Sequence, residues 1–216
     1  MGGLPAPVRF GDRREAGEFL AARLERYRGP DTLVLGLPRG GVVVAAEVAR
    51  RLGAELDVVV ARKLGSPISP ELAIGAVTAD GARVVDDRLM KALGVTERYL
   101  EAVSAREQAE AGRREGRFRG GRPSPRIAGR TVLVVDDGLA TGSTMRAALR
   151  AVRRQGPGRL VAAVPVGPPD TCAALREEAD EVVCLLTPAD FDAVGRWYDD
   201  FRQVEDEEGV RLLGQG

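Results

Sequence analysis

Five short segments of this chain are apolar at nearly every position: Thr32–Leu35, Leu56–Ala61, Thr131–Val135, Leu160–Val164 and Glu181–Leu186. A strand with one face in water alternates apolar and polar residues. A strand covered on both faces reads instead as a near-continuous apolar run. Stretches with helical spacing surround and separate these runs. In the first, Asp12 and Glu15 form a capping box, followed by Ala16, Phe19, Leu20, Leu24 and Tyr27 on one face. The others are Val42–Leu52, stopped by Gly53, then Gly142–Gln155 and Pro169–Ala179. This alternation predicts an α/β chain with a parallel sheet covered by helices on both faces. At about 100–200 residues per domain, the 216 residues form a single domain spanning 1–216.

Two segments break the alternation. Residues 65–120 read as a flexible loop and helical insertion. It contains a hairpin, Leu72–Thr78 with Ala82–Val85, turning on Asp80-Gly81, and two polar helices, Arg88–Leu93 and Thr96–Arg117. Residues 187–216 form a C-terminal segment. Its Trp197, Tyr198 and Phe201 read as core or dimer packing, with stacking on a nucleobase as the alternative. The arginine-rich stretch Arg113–Arg126, with Phe118 near glycines, reads as a solvated flexible loop.

Composition removes whole classes of function. The chain has no histidine, so Ser-His-Asp and Cys-His catalysis and histidine-ligated zinc are excluded. Its 32 Lys and Arg residues balance 32 Asp and Glu residues, which argues against nucleic acid as a partner. Only Lys63 and Lys91 are lysines. The longest apolar runs, such as Val161–Val166, fall far short of the ~20 residues a membrane-spanning helix needs. Met1-Gly-Gly-Leu-Pro carries no secretory pattern, and Cys172 and Cys184 lack metal spacing. A cytoplasmic protein is the expectation.

Parallel sheets bind ligands beyond the carboxyl ends of their strands, so the loops after Leu35, Ala61 and Val135 matter most. After Val135 comes Asp136-Asp-Gly-Leu-Ala-Thr-Gly-Ser-Thr144, leading into a helix. Thr141, Ser143 and Thr144 offer hydroxyls, Gly142 lets backbone approach closely, and the helix N-terminus favours an anion. The turn suits a phosphate. Asp136 and Asp137 suit vicinal sugar hydroxyls, a metal ion or a developing positive charge. A plain acidic cap is the simpler reading of the pair, but adjacent carboxylates must withstand their mutual repulsion. Together the two features fit a phosphorylated sugar. Neither a G-x-x-x-x-G-K-[ST] loop nor G-x-G-x-x-G spacing is present.

The stretch Val132–Thr144, VLVVDDGLATGST, resembles the phosphoribosyl-pyrophosphate (PRPP) signature of the type I phosphoribosyltransferases. The resemblance extends from about Thr32 to Leu186. It implies that family's fold, a Rossmann-like parallel sheet flanked by helices, with a small hood and a flexible helical insertion. By resemblance, Asp136 and Asp137 hold the ribose hydroxyls, and Ala140, Thr141, Gly142, Ser143 and Thr144 hold the 5′-phosphate. Leu37-Pro-Arg-Gly-Gly41 resembles the pyrophosphate loop, with Arg39, Gly40 and Gly41 facing the leaving group. Arg62-Lys63, expected just past a strand end, resembles a pair that contacts pyrophosphate, sometimes across a dimer interface.

The implied activity uses PRPP with Mg²⁺ to transfer phosphoribose to a nitrogenous, nucleobase-like acceptor, releasing pyrophosphate. Asp136, Asp137, Arg62 and Lys63 are the implied catalytic residues. Mg²⁺ would arrive with PRPP, with no direct protein ligand expected although Asp136 and Asp137 lie nearby. A homodimer is also implied. The alternative is a non-catalytic PRPP- or nucleotide-binding regulator of the same fold. Hypoxanthine-guanine members carry an acid where this chain has Ala140, which moves the resemblance toward adenine-, orotate- or uracil-type members, or toward a group of unassigned acceptor. Glu71, in the insertion, is a candidate proton acceptor or simply an exposed carboxylate.

Overall fold

The computed structural model describes residues 8–214. In chain order the elements run α1 (Arg13–Arg23), β1 (Thr32–Gly36), α2 (Gly40–Leu52), β2 (Glu55–Val58), β3 (Ala61–Gly65), β4 (Ala73–Thr78) and β5 (Arg83–Val85). There follow α3 (Asp87–Ala92), α4 (Glu97–Arg119), β6 (Thr131–Val135), α5 (Ser143–Arg153), β7 (Arg159–Val166), α6 (Pro169–Ala174), β8 (Glu181–Leu186) and α7 (Asp206–Leu213). The expected capping box opens α1. Asp12 accepts from the N–H groups of Arg14 (2.8 Å) and Glu15 (2.9 Å), and the Glu15 carboxylate accepts from Gly11 N–H.

Strands β2-β1-β6-β7-β8 form one parallel sheet, in that order. Successive side chains leave a strand on opposite faces, and here both faces are covered. Val34, Leu133, Val135, Val161 and Ala163 pack with Val42, Val44 and Val48 of α2. Leu33, Leu35, Val132, Val134 and Leu160 pack on the other side with Met145, Leu149 and Val152 of α5. This two-sided burial is the reason the strands read as unbroken apolar runs. Cys172 and Cys184, distant in sequence, lie in that second cluster as free thiols.

The insertion forms a separate antiparallel sheet, β3-β4-β5, with α4 against it. Here one expectation is corrected. The run Leu56–Ala61 is not a single strand: β2 ends at Val58, and β3 begins at Ala61 in the second sheet. Arg62 and Lys63 therefore lie within β3, opposite Val77 and Ala76 of β4, and not past the end of a parallel strand. A buried ion cluster from α4 marks the crossover. Arg119 binds Asp57 (2.8 Å), Glu115 (3.1 Å) and the Val58 carbonyl (3.2 Å), while Glu115 accepts from Val60 N–H (3.0 Å).

The reading of Arg113–Arg126 as a solvated loop is also corrected for its first half. Helix α4 continues to Arg119, and Phe118 is buried against Gly209 of α7. Arg114 and Arg117 bind Asp206 (2.8 Å) and Glu207 (2.5 Å) across the two helices. Sequence inspection did not single out α7, although its acidic first turn and its Val210, Leu212 and Leu213 carry a helical signal.

Burial holds the Asp57 and Glu115 carboxyls above the ordinary carboxylate range, against the opposing pull of Arg119. Removing one partner of a buried ion cluster costs about 3–5 kcal/mol, so Arg119→Met is expected to destabilise by that order. A carboxyl raised in the folded state penalises folding above its unfolded pKa, and protonation relieves the penalty. The deficit of the variant should therefore shrink as pH falls from neutrality through the raised pKa values. Urea unfolding of both proteins at pH 7 and pH 4.5 checks this; a deficit that grows on acidification contradicts it.

Candidate functional site

Strands β1 and β6 pair in register, Gly36 opposite Val135, so both end level and their following loops emerge side by side. Leu37 N–H donates to the Val135 carbonyl (2.9 Å), drawing the first loop over the second. The Pro38–Arg39 peptide in this loop is cis. Asp136 and Asp137 are the first residues past β6, and Asp137 N–H donates to the Asp136 carboxylate (2.8 Å).

Gly40 and Gly41 lie directly on this pair. A Cβ at position 41 would stand 2.8 Å from both Asp136 Cα and Oδ1, and one at position 40 would overlap Asp137 Oδ2. Both glycines open α2, where the first N–H groups have no acceptor within the helix. Two carboxylates thus sit beside the N-terminus of one helix. Burial, and then the charge of Asp137, push the Asp136 carboxyl well above its ordinary value.

Gly142 has φ +74°, a left-handed conformation that favours glycine, and it leads into α5 at Ser143. The Thr141 and Ser143 hydroxyls are 3.2 Å apart. Thr171 of α6 donates to the Ala140 carbonyl (3.2 Å), and its methyl occupies the space a Cβ at position 142 would need. The N–H groups at the start of α5 have no acceptor within the helix and, with the Ser143 and Thr144 hydroxyls, present donors on the same loop as the acid pair.

The cations named from sequence are placed less uniformly. Arg39, at the start of α2, lies 3.7 Å from Glu205, and Gln203 accepts from both its Nη atoms when the amide oxygen faces it. Arg62 is paired with Glu107 (3.0 Å). Lys63 is exposed and has no carboxylate partner among the described residues. Glu71 is an exposed loop carboxylate.

Sequence reasoning missed Arg13. Its Nε donates to Asp137 Oδ2 (2.7 Å), its Nη1 donates to the Arg202 carbonyl (2.9 Å), and its guanidinium lies 3.9 Å from the centre of the Phe201 ring. Tyr198 packs against Phe10 and donates its hydroxyl to the Asp137 carbonyl (2.6 Å). Arg13 and Arg14 both open α1, Arg14 exposed and Arg13 buried, so no local signal in the sequence separated the one that reaches Asp137.

Among the described residues there is no cluster of three or more His, Cys, Asp or Glu side chains able to hold a metal ion. Mg²⁺ commonly takes one or two carboxylates and draws its other ligands from substrate phosphates and water. The Asp136-Asp137 pair fits that donor set.

Residues 13–196 match the family model described as "Phosphoribosyl transferase domain". A Mycobacterium tuberculosis protein whose name places it among the phosphoribosyl transferases is 48% identical over 94% of this chain. The match covers 46% of that relative, so the chain spans about half the length of the curated relatives it matches. The adenine phosphoribosyltransferase of the same organism is 32% identical over 73% of this chain and 57% of its own. The crystal structure of TT1426 from Thermus thermophilus superposes with a TM-score of 0.81 at 48% identity, over 96% of this chain and 98% of that one.

The close approach of the two loops makes a prediction independent of any ligand. Gly41→Ala must push Asp136 and the Val135 carbonyl aside, and overpacking of this kind costs about 1–3 kcal/mol. Chemical denaturation of the variant measures it. Wild-type stability would show that the loops are not in contact.

Proposed function

The chain belongs to the phosphoribosyl transferase family, and on that premise we propose that it takes PRPP with Mg²⁺ and transfers phosphoribose to a nitrogen of a nucleobase-like acceptor. The observation that carries this reading is the contact of Gly40-Gly41 with Asp136-Asp137, on a loop that continues into an anion cradle. The cradle of Thr141–Thr144 takes the 5′-phosphate. The two carboxylates accept the ribose hydroxyls. The Gly40 and Gly41 N–H groups and Arg39 meet the pyrophosphate. Mg²⁺ would arrive on oxygens of the substrate, with Asp136 and Asp137 nearby, and when bound would supply charge neutralisation at pyrophosphate.

As the C1–O bond to pyrophosphate breaks, positive charge builds on the ribose ring. The acid pair stands where that charge develops and favours it electrostatically. Arg39 neutralises the departing group. Lys63, exposed and without a carboxylate partner among the described residues, suits the same role from its own or a neighbouring subunit of a homodimer. Arg62 must first leave Glu107.

The acceptor side follows from what the loop lacks. Ala140 is exposed and presents no acid, and general-base help is typically worth ~10²–10⁴ in rate. Hypoxanthine and guanine are therefore poor acceptors in this reading, and the 32% identity to an adenine enzyme supports an adenine-like preference over them. Pyrophosphate release measured across a panel of purines and pyrimidines tests this. Equal turnover of hypoxanthine or guanine beside adenine contradicts it. Tight PRPP binding with no turnover of any base points instead to the regulator.

The raised pKa of Asp136 sets a pH dependence. Only the ionised carboxyl accepts ribose hydroxyls fully, so PRPP affinity should fall as pH drops through that raised value, above the ordinary aspartate range. Asp136→Asn and Asp137→Asn should each weaken PRPP binding about 10–100-fold at pH 7.5, the scale of a lost charge-assisted hydrogen bond. Asp136→Asn should also flatten the acid limb, leaving only the slope due to the phosphates of the ligand. Calorimetric titrations from pH 5 to 8 read both effects; unchanged affinity in both variants removes this loop from the ribose site.

A further inference from the structure

We propose that Arg13 is a positioning residue for the ribose site: its charge holds the Asp137 carboxylate in place and offsets the repulsion within the acid pair. This rests on the ribose reading of Asp136 and Asp137. Four observations converge on it. The Arg13 Nε engages only Oδ2 of Asp137, leaving Oδ1 to accept a ribose hydroxyl. The guanidinium is fixed by a backbone carbonyl at Arg202 and by the face of Phe201. Both members of the ion pair are largely shielded, with side chains 10% and 16% exposed, so water screens the attraction poorly. A Cβ at Gly40 would stand 2.7 Å from Arg13 Nε, so the pair is wedged against the first glycine of α2.

The placement of Arg13 is locally unfavourable, which sharpens the inference. A cation in the first turn of α1 opposes the helix dipole, although Asp12 and Glu15 both place acidic groups at that end. Around it, the C-terminal segment is stitched to the residues before α1: Phe10 N–H donates to the Trp197 carbonyl (2.9 Å), and Asp199 and Asp200 N–H groups donate to Phe10 and Gly11 (2.8 Å each). Those bonds hold the segment without Arg13.

The test compares PRPP affinity, by calorimetry with Mg²⁺, in the wild type, Arg13→Gln, Arg13→Lys, Phe201→Leu and Asp137→Asn, with thermal unfolding of each. Arg13→Gln should lose about 10–100-fold in affinity and, as the loss of one partner of a shielded ion pair, should also melt below the wild type. Arg13→Lys, which restores the charge but not the planar group stacked on Phe201, should recover part of that loss and bind measurably tighter than Arg13→Gln. Phe201→Leu leaves the charge but frees the guanidinium, and should cost about 3–10-fold; it carries the test should Arg13→Gln fail to fold. Wild-type affinity in Arg13→Gln or in Phe201→Leu overturns the proposal, as does a lysine variant as weak as the glutamine one. Asp137→Asn separates the two levels. If it binds PRPP normally, the ribose reading itself fails; if it is weakened while Arg13→Gln is not, only the role of Arg13 is lost.

Discussion

The contact of Gly40 and Gly41 with Asp136 and Asp137 is the constraint on which the rest of the site depends. It follows from the sheet. With Gly36 level with Val135, the loops after β1 and β6 must share one space. No side chain fits at position 40 or 41, because the Asp136 backbone and the Asp137 carboxylate already occupy it. The same closeness sets two like charges against the N-terminus of α2, where unpaired N–H groups and the helix dipole favour anions. Backbone geometry and electrostatics thus specify the same two glycines.

Adjacent carboxylates at a buried strand end are costly unless counter-charge is supplied. The helix N-terminus supplies part of it, and among the described residues Arg13 supplies the only full positive charge in direct contact with the pair. The C-terminal segment then ties the two loops together. Tyr198 bonds the Asp137 carbonyl and Phe201 backs Arg13, while Glu205 lies 3.7 Å from Arg39. A segment far along the chain therefore braces both the acid pair and the loop facing it. It continues into α7, whose Asp206 and Glu207 grip α4 through Arg114 and Arg117.

Much of this was legible in the amino-acid order. The parallel sheet could be read because two-sided burial leaves a local trace, the unbroken apolar run. The Asp136–Thr144 loop could be read because carboxylates, hydroxyls and a glycine lie next to one another in sequence. What escaped depends on distant partners. Nothing near Leu56–Ala61 reveals that the chain changes sheets after Val58, since Glu115 and Arg119 of α4 bind the backbone there. Phe118 looked solvent-bound because its cover, Gly209, lies on a helix more than ninety residues away. Tyr198 and Phe201 stood out as an aromatic cluster, but Tyr198 reaches Asp137 only through the fold, and Phe201 reaches it through Arg13 at the far side of the sequence. Arg14 stands beside it in the same turn, exposed, so nothing local marks which of the two finds a partner.

The central claim is that one cleft holds both ends of PRPP, with the 5′-phosphate and ribose on the second loop and pyrophosphate on the first. The most direct measurement titrates the wild-type protein with PRPP in the presence of Mg²⁺, then repeats the titration with saturating pyrophosphate or ribose 5-phosphate. The account predicts binding at one site per chain, displaced by either half of the molecule. PRPP binding that neither half displaces, or no binding at all, would contradict it.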